Sequence, residues 1–360
     1  MKAFYNLFFL LICYTLFSQS TRKYSNEFLS IGVDARAFGM GNNVVANTSD
    51  VNSVYWNPAG LTGVKENWQA AAMHAEYFQS IAKYDYVAAA FPTRSGGTIG
   101  FSVIRFGVDD IINTTELIDS QGNIDYNKLS TFSTADYAGT VSYAKGNFLN
   151  NPNLSIGGSA KVVYRHIGKF ATSYGFGLDA GLQYHTTDNF HFGVMARDIT
   201  TTFNVWNIDE DEFKKIEVQG QTLNNPPEED IELTLPKLAL GVGKDIEINE
   251  KFGILAELNL NFQFAETNDL ISTSALSFSP SAGFELNYDK MIFLRGGVNN
   301  VQFETNFDGN RRVSFQPNIG IGFKYRGISI DYALTDIGDK SIALYSNIFS
   351  LKFDMSGWLE

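Results

Sequence analysis

Gly32 to Gly63 reads GVDARAFGMGNNVVANTSDVNSVYWNPAGLTG. The stretch is too rich in Gly and Asn, and too irregular in period, for one long helix or a pair of strands. Short helical pieces fit it. One is expected at Asp34–Met40, closed by Gly39 and Gly41. A second is expected at Val51–Tyr55, N-capped by Ser49 or Asp50, stopping before Pro58 because Asn57 is pushed out of the α region. After Leu61–Gly63 the chain changes character, and from Trp68 to the end it alternates apolar and polar at period two. A compact non-β segment ahead of alternating strands has the pattern of a plug followed by a barrel.

The alternation is cleanest in four places. Leu154, Ile156, Ala160, Val162 and Tyr164 share one face, and Ser155, Ser159, Lys161 and Arg165 the other. Ile254, Ala256, Leu258, Leu260, Phe262 and Phe264 oppose Glu257, Asn259, Asn261 and Gln263. Ile319, Ile321, Phe323 and Tyr325 oppose Gly320, Gly322 and Lys324. Tyr345, Phe349, Leu351 and Phe353 oppose Ser346, Ser350 and Lys352. A side-chain period of two places each set on one side of a sheet. Fourteen strands are expected: Trp68–Phe78, Ala82–Phe91, Gly96–Phe106, Phe132–Lys145, Leu154–Gly168, Tyr174–Thr186, Phe190–Thr200, Leu233–Asp245, Lys251–Phe264, Leu276–Tyr288, Met291–Asn299, Val313–Tyr325, Gly327–Leu334 and Tyr345–Phe353.

A soluble sandwich alternates in the same way, so the connections decide. The long ones (Gly107–Thr131, Thr201–Glu232, Ala265–Ala275, Asn300–Arg312, Thr335–Leu344) fall on odd-numbered links, which also include the short Gln79–Ile81 and Lys169–Ser173. The even links are mostly short turns (Pro92–Ser95, Thr187–Asn189, Ile246–Glu250, Asp289–Lys290, a break at Arg326), with Gly146–Asn153 the longest. Outer-membrane barrels have short periplasmic turns and long outside loops, whereas a Greek-key sandwich has no reason to sort loops by parity. The expected fold is therefore all-β, a 14-stranded antiparallel transmembrane barrel with a small helical plug in its lumen.

Composition agrees. The chain has 360 residues with 30 Phe, 17 Tyr and 32 Gly, and a net charge of -12. Aromatics and glycines on short strands suit a membrane barrel, and the negative charge argues against nucleic acid as a partner. Residues 1–18 read as a secretory signal: Lys2, a mostly apolar run over Phe4–Phe17, and a cut after Ser18. The single Cys13 lies in that run, and the bulky Ile12 before it is unlike a lipoprotein cleavage site. Residues 19–66 form the lead-in and plug, and residues 67–360 the barrel. No segment after residue 20 has the apolar length of a membrane helix.

Asp34-Ala35-Arg36-Ala37-Phe38-Gly39-Met40-Gly41, then Asp50, then Asn57-Pro58-Ala59-Gly60-Leu61, resembles the N-terminal signature of the PorV/PorQ family. These are outer-membrane proteins of Bacteroidetes, within the larger group of fatty-acid-transporter (FadL)-like barrels, which shares the Asn-Pro-Ala-Gly-Leu element. The resemblance implies a fourteen-stranded barrel with an internal hatch. It also implies protein partners, a secretion translocon or a surface-attachment complex of type IX secretion, in addition to outer-membrane lipid.

Candidate plug and gating residues are Asp34, Arg36, Gly39, Gly41, Asp50, Asn57, Pro58 and Gly60. The plainer reading of Asn57–Leu61 is a docking turn, since Pro fixes φ, Gly permits the bend and Asn bonds local backbone. Lys161, Arg165, Glu257 and Lys324 are the inward charges expected to pair with Asp34, Arg36 and Asp50. The acidic loop Thr201–Glu232 offers Trp206, Asp209, Asp211, Phe213, Glu228 and Glu229 to a protein partner, because aromatics among charges anchor interfaces. Solvation explains its charge run more simply, and its spacing is not that of a calcium loop. His74, His166, His185 and His191 lack metal-ligand spacing, and no nucleophile motif is present. No catalytic residue, metal or cofactor is expected. The functional reading is a non-enzymatic outer-membrane barrel serving secretion or surface attachment; the alternative is a transporter of hydrophobic small molecules.

Overall fold

Period-two alternation becomes a closed wall. The computed structural model describes residues 25–78, 80–118, 121–210, 212, 216–218, 221–223, 231–305, 308–337 and 346–358. Its strands are β1 (Gln69–Tyr77), β2 (Ala82–Pro92), β3 (Gly97–Asn113), β4 (Ser130–Lys145), β5 (Leu154–Ile167), β6 (Ala171–His185), β7 (Phe190–Arg197, resuming at Thr202–Ile208), β8 (Ile231–Thr234, resuming at Lys237–Glu247), β9 (Phe252–Gln263), β10 (Ser277–Tyr288), β11 (Ile292–Thr305), β12 (Arg311–Tyr325), β13 (Ile328–Thr335) and β14 (Ser346–Asp354). Each pairs antiparallel with its sequence neighbours, and β14 returns to β1, from Gln69 opposite Asp354 to Glu76 opposite Asn347. The result is a closed antiparallel barrel of fourteen strands. Both ends of the wall, at Gln69 and Asp354, lie at the short-turn rim.

Two regions differ from the sequence expectation. β3 runs past Phe106 to Asn113 because a bulge between Val108 and Ile111, with Asp110 at φ 57, absorbs the Asp-rich interruption and pairing resumes. The expected loop Thr201–Glu232 is wall at both of its ends: Thr202–Ile208 pairs with β6 and with Ile231–Thr234. A short hairpin, Ile216–Val218 with Gln221–Leu223, stands beyond it. Both β7 and β8 are interrupted at the same level. β7 breaks between Arg197 and Thr202, with Asp198 and Thr201 at positive φ. β8 breaks at Leu235-Pro236, where proline cannot donate to a ladder.

The two faces of the wall separate cleanly. Outward positions are large, apolar and uncovered: Val141, Val162, Phe176, Leu258, Ile321 and Phe349, with Leu258 65% exposed. In water such a girdle would be an aggregation surface; against lipid it is the surface a barrel requires. Among the described residues no helix is long and apolar enough to cross a membrane. The inward face carries the polar residues Ser142, Lys161, Glu257, Glu285 and Arg295 together with Tyr84, Tyr86, Met73 and Ile348, all buried.

Residues 25–64 fill the bore. They fold as a 3-10 turn (Glu27–Ser30), helix α1 (Ala35–Gly39), helix α2 (Ser53–Trp56) and a second 3-10 turn (Pro58–Gly63). α1 is capped by the Asp34 side chain, which accepts from Arg36 N. α2 starts later than expected, after Asn52, and lacks a side-chain cap. Asp50 instead folds onto Asn52 N at 2.9 Å. Pro58 opens the next turn rather than simply ending the helix, because its missing N–H and fixed φ suit a first helical position. Val33, Ala35, Met40, Val44, Val51 and Leu61 are almost fully buried and pack with inward Tyr84, Tyr86 and Ile348 in one core.

Candidate functional site

The plug's irregular backbone exposes amides and carbonyls that no helix ladder satisfies, and the wall supplies their partners. Glu257 of β9 accepts N–H bonds from Ala46 at 2.9 Å and Asn47 at 3.1 Å, and a further bond from the Asn47 side chain. Gln183 of β6 donates to the carbonyls of Val45 at 3.1 Å and Thr48 at 2.9 Å. Asn57 reaches from the plug to the wall, its Nδ2 donating to Val45 O at 2.9 Å and Leu182 O at 3.1 Å while Oδ1 accepts from Ala59 N. Ser350 Oγ accepts from Ala35 N at 2.6 Å.

Charges form a second set of ties. Arg36 binds Glu285 of β10 with Nε at 2.9 Å and Nη2 at 3.2 Å. Glu285 also takes Arg295 Nε of β11 at 2.6 Å, and Arg295 Nη1 reaches Asp331 of β13 at 2.7 Å. Asp50 pairs with Lys352 of β14. The partners read from the sequence were the wrong ones. Lys161 is bound within the wall to Asp179 at 2.8 Å and Asp198 at 2.6 Å. Arg165 is bound to Asp136 at 3.0 Å and Glu232 at 2.9 Å, Lys324 lies exposed, and Glu257 receives amides. Period two tells which side of the wall a charge faces; its height depends on stagger accumulated around the barrel, which the pattern does not contain.

Burial pushes the Asp34 carboxyl up to about 6, opposed by Lys352 and reinforced by the Asp331 and Asp50 charges. Burial also pushes Asp50 up, but Lys352 and Arg36 outweigh it and hold that carboxyl below its usual value. A carboxyl raised in the docked state binds its proton more tightly than in the free chain, so docking weakens as pH rises between the two values. The plug is therefore expected to dock less firmly from pH 3.8 through about 6, by an amount up to about 3 kcal/mol. Asp34→Asn should abolish that slope, as read by protease protection of residues 25–64 across pH.

The third feature is close approach. Gly41 adopts φ +62, and a Cβ on Gly297 of β11 would lie 2.1 Å from the carbonyl carbon of Met40. Among the other candidates, Gly39 ends α1 against Gly320 of β12, and Gly60 abuts the Thr48 carbonyl inside the plug.

Towards the long-loop end the plug leaves a cavity of about 490 Å³. Phe38, Tyr55, Trp56 and Met195 line it together with polar Asn261, Gln316 and Asn318 and charged Glu27, Arg197, Lys237 and Asp269. Arg197 stacks over Tyr55 at 4.2 Å and donates to its carbonyl at 2.9 Å. Next to this cavity the turn Ser25–Ser30 covers the β7/β8 interruption from inside. Asn26 Nδ2 donates to Thr234 at 2.7 Å, Asn204 Nδ2 donates to Asn26 Oδ1 at 2.7 Å, and Lys237 binds Ser30 at 2.6 Å and Glu27 at 3.2 Å. A second space of about 1070 Å³ at the short-turn end is lined by Lys65, Glu66, Asn67, Lys324 and Arg326.

The residues assigned to a partner-binding loop divide differently. Trp206 is a wall residue: it sits in β7 opposite Ser173, donates Nε1 to Glu232 at 3.2 Å and lies 4.9 Å beneath Arg165. Its inward parity follows from Thr202 and Asn204, both fully buried. Asp209 follows β7 and donates its N–H to Phe170 O at 2.8 Å. Asp211, Phe213, Glu228 and Glu229 lie outside the described residues. The His185 and His191 rings meet edge to face at 4.6 Å, and among the described residues no cluster of three metal-ligating side chains forms. Glu285, Arg295, Asp331 and Gln183 are the important ties the sequence reading passed over; their signal was a polar residue between outward apolar neighbours, as with Glu285 between Phe284 and Leu286.

No protein-family model matches the chain, and no curated protein matches it. Among solved structures it is similar to the toluene transporter TodX of Pseudomonas putida (TM-score 0.53, 12% identity, 89% of this chain and 96% of that one). It is also similar to the toluene transporter TbuX of Ralstonia pickettii (TM-score 0.51, 11% identity, 89% and 98%) and to a FadL homologue of Pseudomonas aeruginosa (TM-score 0.50, 11% identity, 90% and 98%). At these identities the likeness is one of fold, the closed antiparallel barrel.

Proposed function

We propose that this protein is a non-enzymatic conduit for hydrophobic small molecules across the outer membrane of a Gram-negative bacterium. The observation that carries the reading is the cavity above the plug. It has the size of a small-molecule site; Phe38, Tyr55, Trp56 and Met195 give it an apolar side, and Asn261, Gln316 and Asn318 with the charged Glu27, Arg197, Lys237 and Asp269 line the rest. The fold shared with TodX and TbuX, which are toluene transporters, supports the same class of cargo. The turn Ser25–Ser30 is the natural gate, because it covers the interrupted β7/β8 wall from inside and is tied to that wall by hydrogen bonds and one ion pair, Glu27 with Lys237. A PorV/PorQ-type role in type IX secretion or surface attachment rests on the signature residues 34–61 alone.

The test is uptake of radiolabelled toluene and of a long-chain fatty acid by cells with and without the gene. Transport predicts a several-fold loss on deletion, restored by the wild type and poorly by Trp56→Ala. Unchanged uptake of both, together with loss of secreted surface proteins, would reject transport in favour of secretion.

A further inference from the structure

One part of the outward wall does not suit hydrocarbon. On β1–β3 the side chains of His74, Glu76, Lys83, Asp85 and Arg105 point away from the bore. His74 is 49% exposed, Glu76 45%, Lys83 44% and Asp85 41%. They form a connected group: His74 Nδ1 is 2.7 Å from Asp85, and Arg105 Nη1 is 3.3 Å from the same carboxylate.

Their height follows from the ladder. Directly opposed residues trace a line that starts at Ile246, near the short-turn end of β8, and reaches His74 after seven strand pairings. The line continues through Asp85 and Arg105 and ends at Ile231, near the long-loop end of β8, after seven more. The group therefore sits halfway up the wall. Every other residue on that line is aliphatic or aromatic. Within the β1–β2 hairpin, apolar Phe78 and Ile81 lie above the group, and Ala72, Val87 and Phe91 lie below it. Charges at mid-height of a barrel's lipid face are costly, and mutual pairing leaves much of their hydrogen-bonding capacity facing hydrocarbon. Such a surface calls for a polar cover. Ala70, Ala72 and Ala89 below the group leave the wall flat, which lets another wall come close.

We propose that the outward face of β1–β3 is the interface of a homodimer, with its two-fold axis along the membrane normal between β1 and β2. The register identifies a second copy as the occupant. Glu76 stands directly opposite Lys83, and His74 directly opposite Asp85. Two copies inserted in the same sense can be related only by an axis along the normal, which preserves height and sets β1 of one against β2 of the other. Glu76 then faces Lys83 of the partner subunit, and His74 faces Asp85 of the partner subunit. An isologous contact of this kind needs a self-complementary patch; here Glu76 and Asp85 stand with Lys83 and Arg105, and Asp109 of β3, 3.4 Å from Lys83, adds a third carboxylate. The inference is independent of what passes through the bore.

The test is crosslinking in native outer membranes, in a Cys13→Ser background, with a short bismaleimide. Ala72→Cys, beside the axis, should give a covalent dimer of twice the monomer's mass. Leu258→Cys, 65% exposed on β9, should give none. Glu76→Lys places like charges across the contact and should cut the Ala72→Cys dimer by more than about tenfold, and adding Lys83→Glu should restore it. Heat-modifiable mobility on gels shows that each variant barrel is folded. A folded Ala72→Cys protein that stays monomeric, an adduct with a protein of different size, or a dimer indifferent to Glu76→Lys would each overturn the proposal.

Discussion

Glu285→Ala is expected to free the plug while leaving the wall intact. Glu285 is the carboxylate that two arginines share, one from the plug and one from the wall. The side chains of Glu285 and Arg295 are 9% and 3% exposed, and Arg36 is 18% exposed. Removing the carboxylate leaves two cations facing each other with poor access to water. Breaking a buried pair by deleting one partner costs about 3–5 kcal/mol, which is large for a segment with no long helix of its own. Arg295 retains Asp331, so the loss falls on Arg36 and on α1. The wall's own ladder is untouched, and heat-modifiable mobility should persist. The measurement is conductance in planar bilayers together with protease nicking of residues 25–64. Both should rise sharply in Glu285→Ala and less in Glu285→Gln, which keeps an acceptor. A closed, protected Glu285→Ala protein would show that the hydrogen bonds of Glu257, Gln183 and Asn57 suffice to hold the plug.

The second large effect is steric. Gly297 of β11 stands against the plug at the Met40–Gly41 peptide, where a Cβ would meet the carbonyl carbon of Met40 at 2.1 Å and Gly41 N at 2.3 Å. Both obstacles are backbone, so no side-chain rotation relieves the overlap. Overpacking a well-filled interior costs typically about 1–3 kcal/mol, and Gly297→Val should exceed Gly297→Ala within or beyond that range. The same conductance and protease readouts apply. Gly139→Ala on β4 is the control, because nothing lies within 4 Å of its Cβ position. Gly297→Val with wild-type conductance would mean that the turn at Met40 and Gly41 shifts without loosening the plug.

Much of the barrel was legible because alternation and loop parity are local. The polar sides of β5, β9 and β14 were assigned correctly, from Lys161 to Glu257 and Ser350, since two-residue periodicity needs no knowledge of the neighbouring strand. What failed needed that knowledge. The Thr202–Ile208 piece was lost in a run of Thr, Asn and Asp, and only its pairing with β6 rescues it as a strand. Trp206 was assigned to a loop for the same reason. In the plug, the helix at Asp34–Met40 and the turn at Asn57-Pro58 were found from glycine and proline chemistry, which are local, whereas the cap expected at Ser49 or Asp50 is not made. The partners of Arg36 and Asp50 were missed because contact across a bore joins residues about 250 to 300 positions apart, and stagger around a barrel sets which of them meet.

The plug precedes every strand in the chain, yet the residues that grip it come mostly from the second half. β14 contributes two of these, Ser350 to the Ala35 amide and Lys352 to Asp50, and it is also the stave that meets β1. Sealing the cylinder and adding the last fastenings are thus one event at one seam. A nascent chain that has laid down thirteen staves already carries Gln183, Glu257 and Glu285 but no finished tube, and the last nine-residue stave closes it and adds the ties at Ala35 and Asp50.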